Sequence, residues 1–468
     1  MDEASLELIV HLDCKGLPLA PAYLCERLAD FRAAGATGVL LEWEDMLPFN
    51  GELSCISCKY AFTREDIAAV VETADGLGLE VVPLLQTLGH CEYMLKHESL
   101  AHLREDHGDY GTLCPSAAAD LLEEALSQVL QLHPHSKRVH IGCDEPTIGA
   151  HPLTKAAASD EPDGLGGVFV RHIARMTTAA RARGCTCLMW HDAAVGLSEG
   201  ALEQLLETGA QLVVWDYRPQ LHEDDPSLRF AARLCARAAV SNGAVPRPLI
   251  ATAFKGGDAC DAITPHEGAR LANQSEWKAW MYPGGGSQPR EIGGVVLTGW
   301  SRFGHLLPLC EMLPAAMPVL LQSLSLWRER SGLLAAEKST QAVARWQSSD
   351  DRGSALRRLC TDLDRASTRV SAVEEELKTN TKPSTARRPA PKLANRLNAE
   401  AISLVSNVTQ IDAQFAELMS DADPLFQCDA MEWRQAKITH LLGRAQRIQQ
   451  SSHELCTTPI RIADMSRA

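Results

Sequence analysis

The chain has 468 residues, with 45 Lys plus Arg against 60 Asp plus Glu and a formal charge of −15. A hydrophobic fraction of 45% and a charged fraction of 22% are those of a folded protein and exclude disorder as the main state. The acid excess excludes a global attraction to nucleic acid or anionic membrane, and no apolar run approaches the ~18 residues of a membrane helix.

The first residues, MDEASLELIVHLDC, start acidic, lack a basic segment and enter a strand-like run at once, so no secretory signal is expected. The 15 cysteines are scattered and odd in number. A chain of this length needs no disulfide staples, so reduced thiols in a cytoplasmic or nuclear setting are expected. Cys55 with Cys58, and Cys185 with Cys187, lack a matching pair or histidines at ligand spacing, so no zinc site is expected.

Eight short apolar, β-branched runs follow in chain order: Leu6–Leu12, Gly38–Glu44, Glu80–Gln86, Arg138–Cys143, Cys187–His191, Gln211–Trp215, Pro248–Phe254 and Gly293–Gly299. Near-continuous apolar runs suit strands buried on both faces. Helical patterns fill the gaps. Pro21–Ala33 opens on Pro and stops at Gly35, Thr63 caps Arg64–Leu77, and Ser116 caps Ala117–Leu132. Val168–Arg183, Glu199–Thr208, Pro226–Val240, Pro265–Met281 and Leu307–Leu324 complete the set. Eight strands alternating with eight helices predict an α/β fold, a parallel (β/α)8 TIM barrel over residues 1–333. The alternative is an open doubly wound sheet, but Asp13-Cys14-Lys15-Gly16 is no dinucleotide-binding loop.

Beyond residue 333 the strand-like runs vanish. Residues 334–468 read as a helical C-terminal region with stretches at Gly353–Lys378, Leu393–Ser420 and Met431–Leu455. A Pro-rich linker is expected at 380–392, and the heptads read as too short and irregular for a long coiled coil. Packing of this appendage on a second copy would make a homodimer.

Functional groups of a barrel gather at the C-terminal ends of its strands. Those ends carry His11, Asp13 and Lys15; Glu42, Trp43, Glu44 and Asp45; Gln86, His90 and Glu92; Asp144 and Glu145; Trp190, His191 and Asp192; Trp215, Asp216 and Tyr217; Lys255; and Trp300, Ser301 and Arg302. Charge at nearly every end is hard to explain by packing, because burying unpaired charge is expensive. Four of the nine tryptophans lie at four different ends. Indole walls beside carboxylates suit a sugar, whose C–H face packs on the ring while its hydroxyls meet the acids. Asp144 and Glu145 reach one pocket only if the strand is ending, which Gly142 and Pro146 favour. Two adjacent acids cannot both ionise freely, so one pKa should rise, as glycosidic cleavage requires.

Two other readings stand beside this one. His11, Asp13, His90, His140 and His191 could ligate metal in an amidohydrolase-like barrel, although strand six lacks the histidine that class uses. The chain could also be a non-catalytic sugar-binding protein.

The strings HLDCKG, EWEDMLPF, QTLGHCE, HIGCDE, MWHD, VVWDY, TAFKG and LTGWSRFGH, in this order over about residues 5–325, resemble glycoside hydrolase family 20, and within it a nucleocytoplasmic branch. The resemblance implies removal of a terminal β-linked N-acetylhexosamine with retention, the substrate's own acetamido oxygen being the nucleophile. It implies no cofactor and no metal. It implies Glu145 as general acid and base, Asp144 as the group that orients the acetamido N–H, and Tyr217 as hydrogen-bond donor to the acetamido carbonyl. Trp190, Trp215 and Trp300 would wall the pocket, and Asp13, Lys15, Glu44, His90, Asp192 and Asp216 would bind or support the sugar. Lys15 stands where many members carry Arg. A point charge in place of a bidentate fork leaves the choice between GalNAc and GlcNAc open.

Overall fold

The computed structural model describes residues 6–16, 18–283, 288–328, 332–380, 391–419 and 430–457. It divides into two compact units at Ser349/Asp350.

In the first unit eight parallel strands close on themselves in sequence order, β1-β2-β3-β4-β5-β6-β7-β8. They are β1 (Glu7–Asp13), β2 (Gly38–Glu42), β3 (Glu80–Leu84), β4 (Arg138–His140), β5 (Thr186–Trp190), β6 (Gln211–Trp215), β7 (Leu249–Lys255) and β8 (Gly294–Gly299). Closure sets Glu7 opposite Gly294 and Val10 opposite Leu297. The apolar runs form strands because both of their faces are covered. Ile9, Leu40, Val82, Leu188, Val213 and Val296 fill the barrel interior, with Trp190 above them and Trp215 and Trp300 packed at the mouth. The other face of the strands packs under the surrounding helices in one large apolar core.

Helix starts follow local chemistry. Thr63 Oγ1 accepts from Asp66 N, and Asp66 returns the bond to Thr63 N, a reciprocal cap of about 1 kcal/mol on Arg64–Gly76. Ser116 makes no such cap; the next helix is Ala119–Leu132, and Ala118 precedes it without a side-chain bond. The expected helix at Leu307 begins at Leu313 instead. The intervening chain folds back under β8, where Arg302 donates to Leu307 O at 2.6 Å and Cys310 N donates to Ser301 O at 2.9 Å. A helix at Pro152–Asp160 was not foreseen. The helix Gly332–Ser349 belongs to the barrel unit, so the boundary lies sixteen residues beyond the expected 333.

The second unit is built from helices Asp351–Asn380, Pro391–Met419 and His440–Thr457, the last preceded by a π-helical turn at Gln435–Thr439. Its seam is more regular than the sequence suggested. Leu356, Leu359, Leu363, Ala366, Val370, Val373 and Leu377 recur every three or four residues and are buried. Ala and Cys at such positions weaken the apolar signal without breaking the stripe. Phe415 stacks on Trp433 at 5.4 Å between ring centroids. The expected linker lies almost wholly outside the described residues. No helix among the described residues is long and apolar enough to cross a membrane.

Candidate active site

β4 is the shortest strand of the barrel, and that shortness makes the site. It ends at His140, although Ile141 and Cys143 continue the apolar run. Gly142 (φ 67°), Cys143 (φ 70°) and Glu145 (φ 48°) all take left-handed backbone. Alternation of faces is lost there, and Asp144 and Glu145 reach the same side. Non-glycine residues rarely adopt this region, at a cost of about 1–3 kcal/mol each. Four of the five such residues among those described, Glu44, His90, Cys143 and Glu145, stand at the C-terminal mouth; the fifth is Asn242. Concentrated strain marks a site whose surroundings hold it in place. Gly89 supplies the clearance, because a Cβ there would lie 1.9 Å from Asp144 O.

The mouth holds a pocket of about 230 Å³ that opens to solvent. Of the expected residues, Lys15, His90, Asp144, Glu145, Trp190, Trp215, Tyr217 and Trp300 line it. Trp215 and Tyr217 stack at 5.4 Å and 25°, and Trp300 Nε1 donates to Tyr217 OH at 3.1 Å. Trp190 stands 5.7 Å from Trp300, ring to ring. Three indoles and a phenol therefore form one continuous wall.

Asp144 and Glu145 have different surroundings. The Asp144 side chain is 11% exposed and that of Glu145 is 61% exposed. Burial pushes Asp144 up to about 6, against the opposing pull of His90. Glu145 is held below its ordinary value by a hydrogen bond from His90, whose Nε2 lies 3.2 Å from Glu145 Oε2 and 3.6 Å from Asp144 Oδ2. Burial alone would lower His90, but Asp144, Glu145 and Glu92 together raise it to about 10. The pair of acids does separate, and the raised member of the open site is Asp144. Asp144 Oδ1 is buried without a hydrogen-bond partner.

Asp13, Glu44, Asp192 and Asp216 do not line the pocket, and each has a partner that explains why. Asp13 accepts from Lys15 N at 2.9 Å and Ser301 N at 2.7 Å, tying β1 to the chain after β8. Glu44 Oε2 lies 2.7 Å from His305 Nδ1. Burial pushes Glu44 up to about 7, while Glu44 and Asp45 overcome burial to raise His305 to about 9. Asp192 accepts from Glu145 N at 2.7 Å and from Trp215 Nε1 at 3.1 Å, so it positions both. Asp216 is taken by Arg218 Nε at 3.0 Å and turns out of the mouth.

Lys15 is itself buried. Its Nζ lies 2.9 Å from Asp13, 3.2 Å from Glu42 and 3.6 Å from Glu44, and 4.9 Å from the Trp300 ring centroid. Burial disfavours its charge, but the three carboxylates outweigh that and hold it well above the usual lysine value. Its ammonium is thus committed to a carboxylate cage at the pocket wall. Glu42 is the centre of that cage, bonding also to His11 Nε2 at 3.0 Å, and was not among the expected site residues. Gln86, Asp258, Arg302 and Phe303 also line the pocket. Gln86 and Arg302 stood at strand ends in the sequence; Asp258 and Phe303 lie farther along their loops, where strand-end reasoning does not reach.

The histidines considered as metal ligands are dispersed. His140 packs against Trp190 at 4.4 Å and His191 edge-on to Trp215 at 5.9 Å, and burial lowers them to about 3 and about 4. Among the described residues no group of three or more His, Cys, Asp or Glu is arranged to hold a metal ion.

The fold is a closed parallel (β/α)8 barrel whose C-terminal mouth sets two carboxylates beside an indole wall. Residues 42–225 match the model described as glycosyl hydrolase family 20, catalytic domain. The chain is 36% identical to hexosaminidase D of Bos taurus over 324 residues, 67% of this chain and 89% of that protein. It is 35% identical to hexosaminidase D of Homo sapiens over 328 residues, 68% of this chain and 65% of the human protein, just under two thirds of its length. The X-ray structure of Flavobacterium johnsoniae chitobiase is similar in fold, with a TM-score of 0.52 at 14% identity, covering 99% of this chain and 74% of that one. The chain belongs to glycosyl hydrolase family 20.

Proposed function

We propose that the protein is an exo-acting, retaining β-N-acetylhexosaminidase that removes terminal β-linked GalNAc or GlcNAc by substrate-assisted catalysis. The observation that carries this reading is Asp144, buried with an unpaired Oδ1 in an indole-walled pocket, beside a solvent-exposed Glu145 that shares His90 with it. The acetamido N–H of the substrate satisfies Asp144. Tyr217 donates to the acetamido carbonyl and fixes it below the anomeric carbon, and the indole wall keeps water from competing with this internal nucleophile.

The His90–Glu145 pair supplies the proton. In the open site His90 holds it, with a pKa of about 10. A sugar covering Glu145 strips its solvent, which favours the neutral acid and shifts the proton onto the carboxyl. As the acetamido oxygen bonds to the anomeric carbon, the glycosidic C–O bond breaks and the leaving oxygen takes that proton. The ionised Asp144 stabilises the positive oxazolinium. Water then attacks the anomeric carbon, gives its proton back to Glu145, and reopens the ring with the original configuration. A reducing compartment, cytoplasm or nucleus, fits the 14 cysteines found among the described residues, none of them in a disulfide.

The test is turnover of aryl β-GalNAc and β-GlcNAc by wild type, Glu145→Gln and Asp144→Asn. Loss of about 10²–10⁴-fold in Glu145→Gln is expected, with folding unchanged because the side chain is exposed. Full activity in that variant overturns the assignment of the acid.

A further inference from the structure

Among the described residues, several buried side-chain polar atoms without a hydrogen-bond partner stand at the mouth. They include Gln86 Oε1, Glu92 Oε2, His140 Nε2, Asp144 Oδ1 and Trp190 Nε1. Such atoms are rare in native structures and call for an explanation. The proposed reaction uses Asp144. It gives no part to Gln86, which is 1% exposed and lines the same pocket.

Gln86 is held from three sides. Tyr93 OH donates to its backbone carbonyl at 3.2 Å. Its Nε2 faces Glu42 Oε1 at 3.4 Å. That contact fixes the orientation of the amide, because a carboxylate accepts hydrogen bonds and only Nε2 can donate one. Oε1 therefore points the other way, toward Gly142, where a Cβ would lie only 1.8 Å from it. Any side chain at 142 would displace this oxygen. The chain thus keeps an unpaired acceptor in the pocket wall, against Gly142, two residues before the carboxylate that takes the acetamido group.

We propose that Gln86 is a specificity-determining residue whose Oε1 accepts a hydrogen bond from the substrate's 3-hydroxyl. The inference rests on the hexosaminidase reading. An unpaired carbonyl oxygen needs a donor, and apart from the acetamido N–H the donors of a terminal N-acetylhexosamine are its hydroxyls. Asp144 holds the acetamido group at carbon 2. The hydroxyl next to the acetamido group is the one on carbon 3, and Gly142, against which Oε1 packs, lies two residues before Asp144. GalNAc and GlcNAc share that hydroxyl and differ at carbon 4. Gln86 therefore selects termini with a free 3-hydroxyl and is blind to the epimer.

The experiment compares kcat/KM for an aryl β-N-acetylhexosaminide with its 3-deoxy and 4-deoxy counterparts, in wild type and Gln86→Leu. Wild type is expected to lose about 10- to 100-fold on the 3-deoxy sugar. Gln86→Leu should lose a similar factor on the parent and then treat parent and 3-deoxy sugar alike within about twofold. A purely structural role would lower both rates and leave their ratio intact, which overturns the proposal. Wild type that accepts the 3-deoxy sugar as well as the parent overturns it without any variant having to fold. Discrimination that collapses for the 4-deoxy sugar instead overturns the choice of hydroxyl. Absence of turnover of the parent by wild type strikes the hydrolase reading itself.

Discussion

Replacing His90 with Gln separates the two carboxylates' roles by pH. His90 is positively charged throughout the neutral range, since its pKa is about 10. Its Nε2 lies 3.6 Å from Asp144 Oδ2. At an effective dielectric of ~20, a unit charge pair at that distance is worth ~4–5 kcal/mol. The pocket is open to solvent, which roughly halves this to about 2 kcal/mol, or about 1.5 pKa units. The cation favours the ionised carboxylate, so removing it raises Asp144 from about 6 toward roughly 7.5. The reaction needs Asp144 ionised, so activity is lost as pH falls through this value. The acid limb of kcat/KM for an aryl β-N-acetylhexosaminide should therefore move from about 6 in wild type to roughly 7.5 in His90→Gln. The alkaline limb, set near 10 by His90, should move to lower pH, because the proton must then rest on Glu145 alone. A full pH profile of both proteins is the assay. An acid limb that stays near 6 in the variant refutes the electrostatic coupling of His90 to Asp144.

Two further outcomes follow from single contacts. Tyr217→Phe removes the acceptor of the Trp300 Nε1 bond at 3.1 Å and the proposed donor to the acetamido carbonyl. Urea unfolding should show a loss of about 1 kcal/mol, and kcat/KM should fall roughly 10- to 100-fold with the pH profile unmoved. Gly142→Ala puts a Cβ at φ 67° and 1.8 Å from Gln86 Oε1, so it should cost about 2–4 kcal/mol in the same experiment. An alanine variant as stable as wild type contradicts the packing of Gln86 against Gly142.

Much of the barrel is legible in the chain because its strands are buried on both faces. Apolar runs such as the one over Glu7–Asp13 cannot be satisfied in any half-exposed setting, and the turn chemistry between them sets their number and order. The same local signal misplaced the end of β4. Ile141 and Cys143 are apolar and read as strand, whereas the left-handed backbone from Gly142 onward depends on Gly89 and Gln86, more than fifty residues earlier. Asp216 shows the converse error. It stands at a strand end, but Arg218, two residues on, closes back over it. Glu42 stands among the strand-end groups in the sequence, but its part in the site rests on His11 and Lys15, which come from another strand.

The sequence by itself determined the barrel, its strand order, and the eight residues of the expected set that line the pocket. Each of these follows from local periodicity or from position at a strand end, which neighbouring residues decide. Only the tertiary structure decided what each charge does there. Asp13 and Asp192 became struts, Lys15 was enclosed in a carboxylate cage, and Asp144 rather than Glu145 became the carboxyl raised by burial. A pKa and a hydrogen-bond partner depend on distances between groups far apart in the chain, and those distances exist only once the barrel has closed.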